Sequence, residues 1–217
     1  MSPRPFERPA TIALPKTEGL PEGASLEGLW LPARSDDEPL GGAVVAPPHP
    51  LMGGSMDSPV TTEIAMALSD SERVAVRFNW RGVGASAGVP SGEVGDADQD
   101  YRACLEFTEE SVEGPLLAAG YSWGALAAAR VGVGASRVRR LVLVAPPPGM
   151  LDSAALAASG MKMLFIAGDQ DSYVPLDELR ACVAEIPDAS LVVLPEVDHF
   201  FMRGLAEVGR SVRDWLA

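Results

Sequence analysis

Leu116-Leu117-Ala118-Ala119-Gly120-Tyr121-Ser122-Trp123-Gly124-Ala125-Leu126-Ala127-Ala128-Ala129-Arg130 decides the fold of this chain. It reads as a short apolar strand, then Gly-x-Ser-x-Gly, then a helix. That is the layout of a nucleophile elbow, a tight strained turn that exposes a serine at the end of a strand. Gly120 and Gly124 suit such a turn, because a strand and helix that cross this closely leave no room for a side chain. The same turn aims the first N–H groups of the helix at the place where an oxyanion would form.

The motif needs this context, because a chain with 22 glycines meets the pattern by chance easily. A second match does occur, Gly84-Ala85-Ser86-Ala87-Gly88. It follows a glycine-rich loop and runs into Val89-Pro90-Ser91-Gly92, which cannot open a helix. Ser122 is therefore the expected nucleophile and Ser86 is not.

Outward from the elbow, strand and helix patterns alternate. Apolar runs at 43–46, 74–78, 116–119, 141–145, 163–167 and 191–194 are nearly continuous, as expected of strands buried on both faces. Between them lie helical stripes such as Tyr101, Cys104, Leu105 and Thr108, and later Leu205, Val208, Val212 and Trp215. This alternation predicts a mostly parallel sheet flanked by helices. Residues 1 to about 40 alternate weakly and are expected to form an antiparallel edge hairpin. The whole chain, 1–217, is expected to be one domain.

Composition narrows the partners. With 17 Lys and Arg against 30 Asp and Glu, the formal charge is 17 − 30 = −13. That charge repels nucleic acid and anionic membranes, so neither is expected as a partner. Met1–Pro9 lacks the apolar core of a secretory leader, and no apolar run is long enough to span a bilayer. Cys104 and Cys182 are far apart, form no CxxC pair and are expected to be buried free thiols, which points to a cytoplasmic protein. Oligomeric state is not readable.

A serine nucleophile needs a base oriented by a carboxylate. The chain has two histidines, His49 and His199. His199 follows the last apolar strand and is expected at the start of the C-terminal helix. The strand 163–167 runs into Gly168-Asp169-Gln170-Asp171-Ser172-Tyr173-Val174-Pro175. Asp171, which precedes x-x-Val-Pro, is favoured as the acid, and Asp169 reads as a turn cap. Asp198 adjoins His199 and reads as an acid at a helix N-terminus.

Asp96, Asp98 and Asp100 alternate like a calcium loop, but Tyr101 and Phe107 stand where such a loop needs Gly and Glu. They read as acids at a helix start. Arg81 reads as an anchor for its own glycine-rich loop. His and Cys are too few for a metal cluster, so no metal or cofactor is expected.

The chain resembles the α/β-hydrolase superfamily. Within it, the chain is similar to small bacterial hydrolases without a lid domain. The likeness is carried by the loop His49-Pro50-Leu51-Met52-Gly53-Gly54-Ser55-Met56 and by the segment Phe78-Asn79-Trp80-Arg81-Gly82-Val83-Gly84-Ala85-Ser86-Ala87-Gly88. It covers residues 40 to 217. It departs at Pro47, where such proteins often carry another histidine.

The resemblance implies the α/β-hydrolase fold with no lid domain and the triad order Ser122, Asp171, His199. It also places the second oxyanion donor in the loop at His49. Pro47, Pro48 and Pro50 have no N–H to give. Leu51 N–H is therefore the first donor to consider and Met52 the next, with Trp123 N–H as the other half. His49 precedes the nucleophile, against the order of the fold, and reads as shaping its loop.

Met52, Tyr173, Trp123, Phe200 and Phe201 are candidates to line an acyl pocket or to be ordinary core. The expected activity is that of a serine carboxylesterase on small, short-chain acyl esters. A thioesterase or small peptidase on the same triad, or a non-catalytic binding protein of the same fold, are the alternatives.

Overall fold

In a computed structural model, which describes residues 6–35 and 37–217, eight strands form one twisted sheet. They are β1 (Arg8–Ala13), β2 (Ser25–Leu31), β3 (Gly42–Ala46), β4 (Val74–Phe78), β5 (Leu116–Tyr121), β6 (Val138–Val144), β7 (Lys162–Gly168) and β8 (Ala189–Leu194). The helices are α1 (Pro59–Asp70), α2 (Val94–Ser111), α3 (Trp123–Gly132), α4 (Ser153–Ala158), α5 (Leu176–Ala184) and α6 (Leu205–Leu216). The leader reading falls partly on residues 1–5, outside the described residues. Among the described residues, no helix is long and apolar enough to cross a membrane.

The strand order is β1-β2-β4-β3-β5-β6-β7-β8. From β3 to β8 neighbouring strands are parallel, and β1 and β2 pair antiparallel at one edge. β3, β4 and β5 are buried along their whole length. Their side chains are Ala, Val, Leu and Phe with few exceptions, and both sheet faces are covered. α1 packs against α6 and against β3 and β4; α2 and α3 pack against each other and against β3.

β8 departs from the expected double burial. It is the edge strand beyond β7, and most of its residues are half-exposed because it has one neighbour. Cys104 is buried in α2 as expected, whereas Cys182 in α5 is only partly buried. Its helix lies over the edge strand β8, where cover is thin.

The topology decides where a ligand can sit. β3 continues into α1 and then β4 on one side, while β5 continues into α3 and then β6 on the other. β3 and β5 lie side by side, with Ala46 level with Gly120. Their connections diverge, so a crevice opens beyond their carboxyl ends, the switch point at which open α/β sheets bind ligands. The segment between β6 and β7, where a lid could insert, holds only one 3₁₀ turn (Pro148–Met150) and the short α4.

Candidate active site

Ser122 sits where β5 turns into α3, in that crevice. Its backbone is at φ 54° and ψ −115°, a conformation that costs a non-glycine residue of order 1–3 kcal/mol. The surroundings hold it there. Ser122 N–H donates to Val144 O on β6 at 2.8 Å, and Ser122 O accepts from Ala125 N–H at 3.0 Å. A Cβ on Gly120 would lie 2.2 Å from the carbonyl of Gly124. A Cβ on Gly124 would lie 2.5 Å from the carbonyl oxygens of Ala46 and Pro47. Both contacts are with backbone, so neither glycine can be replaced without moving the crossing.

Ser122 Oγ lies 3.0 Å from His199 Nε2, and His199 Nδ1 lies 2.7 Å from Asp171 Oδ2. Asp171 and His199 are 8% and 7% exposed, so this pair is shielded from competing water. The second oxygen of Asp171 accepts from Tyr173 N–H at 2.8 Å and Val174 N–H at 3.0 Å. Those two bonds fix the carboxylate from the side away from the histidine. Asp169 does something else: its Oδ1 accepts from Glu196 N–H at 2.7 Å and ties the loop after β7 to the loop after β8.

His199 is not at a helix start, contrary to expectation. α6 begins only at Leu205, after Gly204 in a left-handed conformation at φ 84°. Asp198 Oδ1 accepts from Phe200 N–H and Met202 N–H, closing a turn on itself, and Phe201 at φ 53° bars a helix there. Asp198 thus belongs to this turn and not to the α6 N-terminus. Of the described non-glycine residues with positive φ, Ser122, Ala145, Glu196 and Phe201 all lie beyond the carboxyl ends of strands, and Glu72 alone lies elsewhere. Backbone strain gathers where the chemistry would be.

Two further residues help to build the site, one not singled out from the sequence and the other read there as shaping its own loop. Tyr121 donates from its hydroxyl to the backbone carbonyl of His199 at 2.7 Å, and its ring lies 5.6 Å from the imidazole. Burial, reinforced by the nearby carboxylates of Asp171 and Asp198, pushes its pKa well up. The hydroxyl therefore stays a donor at any working pH. A tyrosine at the end of an otherwise apolar strand was the available signal, since a buried Tyr hydroxyl needs a partner. The second is His49, whose Nδ1 accepts from Leu51 N–H at 3.2 Å. Its ring lies 4.7 Å from that of Trp123.

Trp123 N–H lies in the first turn of α3, where the helix itself supplies no acceptor. Leu51 N–H points at His49 Nδ1, and Met52 N–H donates to His49 O at 3.0 Å. Trp80 Nε1–H anchors the same loop by donating to the carbonyls of Pro47 and Pro48 at 3.2 and 2.9 Å.

The expected pocket residues divide. Met52, Tyr173 and Phe200 are exposed, and the Tyr173 and Phe200 rings lie 4.7 and 5.7 Å from His199. Phe201 is buried at 2% exposure and meets the Tyr121 ring edge-on at 5.9 Å. It supports the His199 turn from below and does not face an open site, a correction to its expected role.

Arg81 bonds Asp96, Gln99 and Asp100, and Arg130 bonds Asp98. The three aspartates are ion-pair partners, and Arg81 pins its loop instead of facing an anionic ligand.

No family model matches the chain. Solved structures similar to it include an α/β serine hydrolase homologue from Coxiella burnetii, 32% identical over 97% of each chain with a TM-score of 0.85. An α/β serine hydrolase without a lid, from Xanthomonas campestris, is 30% identical over 99% of this chain and 98% of its own, with a TM-score of 0.79. A curated relative from Rickettsia prowazekii, itself uncharacterized, is 28% identical over 207 residues, which is 90% of this chain and 85% of the relative. The sheet and its switch-point crevice are those of an α/β hydrolase without a lid domain. The chain belongs to the α/β serine hydrolases.

Proposed function

We propose that the protein is a serine carboxylesterase that cleaves small, short-chain acyl esters through an acyl-enzyme. The observation that carries this reading is the chain from Ser122 Oγ through His199 to Asp171, with steps of 3.0 and 2.7 Å. An ionised Asp171 can only accept, so it holds the imidazole proton on Nδ1. The Nε2 lone pair is then free to take the Ser122 proton.

Ser122 Oγ attacks the ester carbonyl, and His199 Nε2 receives its proton. The carbonyl oxygen becomes an oxyanion facing the N–H groups of Trp123 and Leu51. The C–O bond to the alcohol breaks as His199 returns the proton to the departing oxygen. Water then repeats the sequence on the acyl-enzyme and frees the acid. Each oxyanion donor of this kind is worth about 2.7–4 kcal/mol of barrier. Met52, Tyr173 and Phe200 would contact the substrate at the mouth.

The short acyl preference follows from the Pro148–Ala158 segment, which offers one 3₁₀ turn and one short helix as cover. A buried CH₂ adds about 0.8 kcal/mol only where the site can keep water off it. With p-nitrophenyl esters, kcat/KM should peak at about two to six acyl carbons, where that gain runs out. A fluorophosphonate probe should label Ser122. A long-chain optimum would overturn the open-site reading, and failure to label Ser122 would overturn the nucleophile.

A further inference from the structure

His49 stands between the two halves of the proposed oxyanion hole. Its Nδ1 accepts the N–H of Leu51, and its ring packs against Trp123 at a centroid distance of 4.7 Å and an angle of 51°. The loop is also folded around it: the His49 carbonyl accepts from both Met52 N–H and Gly54 N–H, each at 3.0 Å. On its other side the ring is confined by Gly92, where a Cβ would lie 3.2 Å from His49 Cε1 and 3.3 Å from Nε2. The Trp123 indole Nε1 is buried with no hydrogen-bond partner among the described residues. No hydrogen bond at Nε1 therefore fixes that ring, and its place is set by packing against His49 and under the Arg130 guanidinium, 5.9 Å from its centroid.

We infer that His49 is a positioning residue for the oxyanion hole, setting the Leu51 peptide relative to Trp123 through its Nδ1 acceptor and its ring face. An imidazole that accepts at Nδ1 is neutral there and carries its proton on Nε2. Burial lowers the His49 pKa below the ordinary histidine value, in keeping with that form. The turn matches one that Asn or Asp makes when its side chain accepts from the N–H two residues on.

Pro50, between the two partners, has no N–H of its own to compete. Until the substrate arrives, the Leu51 N–H is held by a bond of 3.2 Å, long for its kind. The oxyanion is a charged and therefore stronger acceptor, and it draws the N–H away once it forms. Without His49 the Leu51 peptide has no reason to wait at the mouth of the hole.

The inference rests on Ser122 as the nucleophile, and the test separates the two. The full chain is assayed with p-nitrophenyl acetate, and kcat and KM are measured for Ser122→Ala, His49→Phe and His49→Asn. Phe keeps a flat ring against Trp123 but removes the acceptor. Asn supplies an acceptor for the same N–H.

An oxyanion donor acts in the transition state, so His49→Phe should lower kcat by about 10- to 100-fold with KM within twofold. His49→Asn should recover kcat to within about fivefold of the parent. If Ser122→Ala abolishes turnover while His49→Phe keeps or raises kcat, the positioning role is overturned and the nucleophile stands. Equal loss in the Phe and Asn variants also overturns it, because the acceptor would then not be what matters. Full turnover in Ser122→Ala overturns both readings.

Should His49→Phe lose its cooperative melting transition, Gly92→Ala takes its place. It presses on the ring without removing the acceptor and should lower kcat several-fold at unchanged KM. An unchanged kcat in Gly92→Ala would overturn the role.

Discussion

The two Gly-x-Ser-x-Gly stretches of this chain share a pattern and nothing else. Ser122 lies at φ 54° beyond a buried strand, partly exposed, with its hydroxyl 3.0 Å from an imidazole. Ser86 is 8% exposed; its hydroxyl donates to Asn79 O at 2.8 Å and accepts from Glu27 N–H at 2.9 Å. The Ser86 hydroxyl thus ties its loop to Asn79, just beyond β4, and to Glu27 on β2, and among the described residues no base bonds it. Glycines mark both stretches for different reasons. At Gly120 and Gly124 they let a helix cross a strand. At Gly84 and Gly88 they permit the positive φ of a surface loop, 58° and 92°. A five-residue pattern describes a local need for small residues around a serine. The element on each side decides whether that serine faces solvent or a carbonyl.

Several changes would sharpen or break this contrast. Ser122→Ala should lower kcat by about 10⁴-fold or more with an unchanged melting temperature, measured on a p-nitrophenyl ester and by calorimetry. If Ser86→Ala were the inactive variant instead, the contrast would be inverted.

Asp171→Asn should lower kcat by about 10⁴-fold, because an amide facing Nδ1 favours the wrong imidazole tautomer. Asp169→Asn keeps the acceptor for Glu196 N–H and should stay within a few-fold of the parent. Loss in the Asp169 variant with retention in the Asp171 variant would move the acid role.

Gly124→Ala should cost about 100-fold in kcat, since its Cβ would push the Ala46–Pro47 backbone that leads into the His49 loop. A near-normal rate would mean that the β3 loop does not depend on this crossing.

The smallest effect on turnover belongs to Ser86→Ala. It should leave kcat unchanged but destabilise the fold by about 1–3 kcal/mol, by stranding Glu27 N–H. The melting temperature should then fall by about 2–4 °C per kcal/mol for a chain of this size. An unshifted melting curve would show that water replaces the hydroxyl freely.

The strands were legible because a sheet covered on both faces demands nearly continuous apolar runs; 116–119 is one, and 74–78 is broken only by Arg77. β8 was read from the same pattern but lies at the edge, since an apolar run does not state how many neighbours it has. Asp171, and not Asp169, bonds His199 Nδ1, and the Tyr173 and Val174 N–H groups turn back onto its other oxygen. Phe200 and Phe201 could not be told apart in sequence. One is exposed beside His199 and the other is buried beneath Tyr121, a difference made by the positive φ of Phe201. His199 was placed six residues too close to α6, because the turn closed by Asp198 leaves no helical period to read.

By itself the sequence determined the alternation of strands and helices, the elbow around Ser122 and the candidates from which a base and an acid could come. These depend on local sterics and on the burial period of each element, which residues carry individually. Only the tertiary structure brought Ser122, Asp171 and His199 within hydrogen-bond reach, although 77 positions separate the first and last. It alone set His49 between Leu51 and Trp123 and turned Tyr121 onto the His199 carbonyl. Those contacts join the ends of different strands. Their distances depend on how the sheet orders its strands, which no stretch of sequence read singly contains.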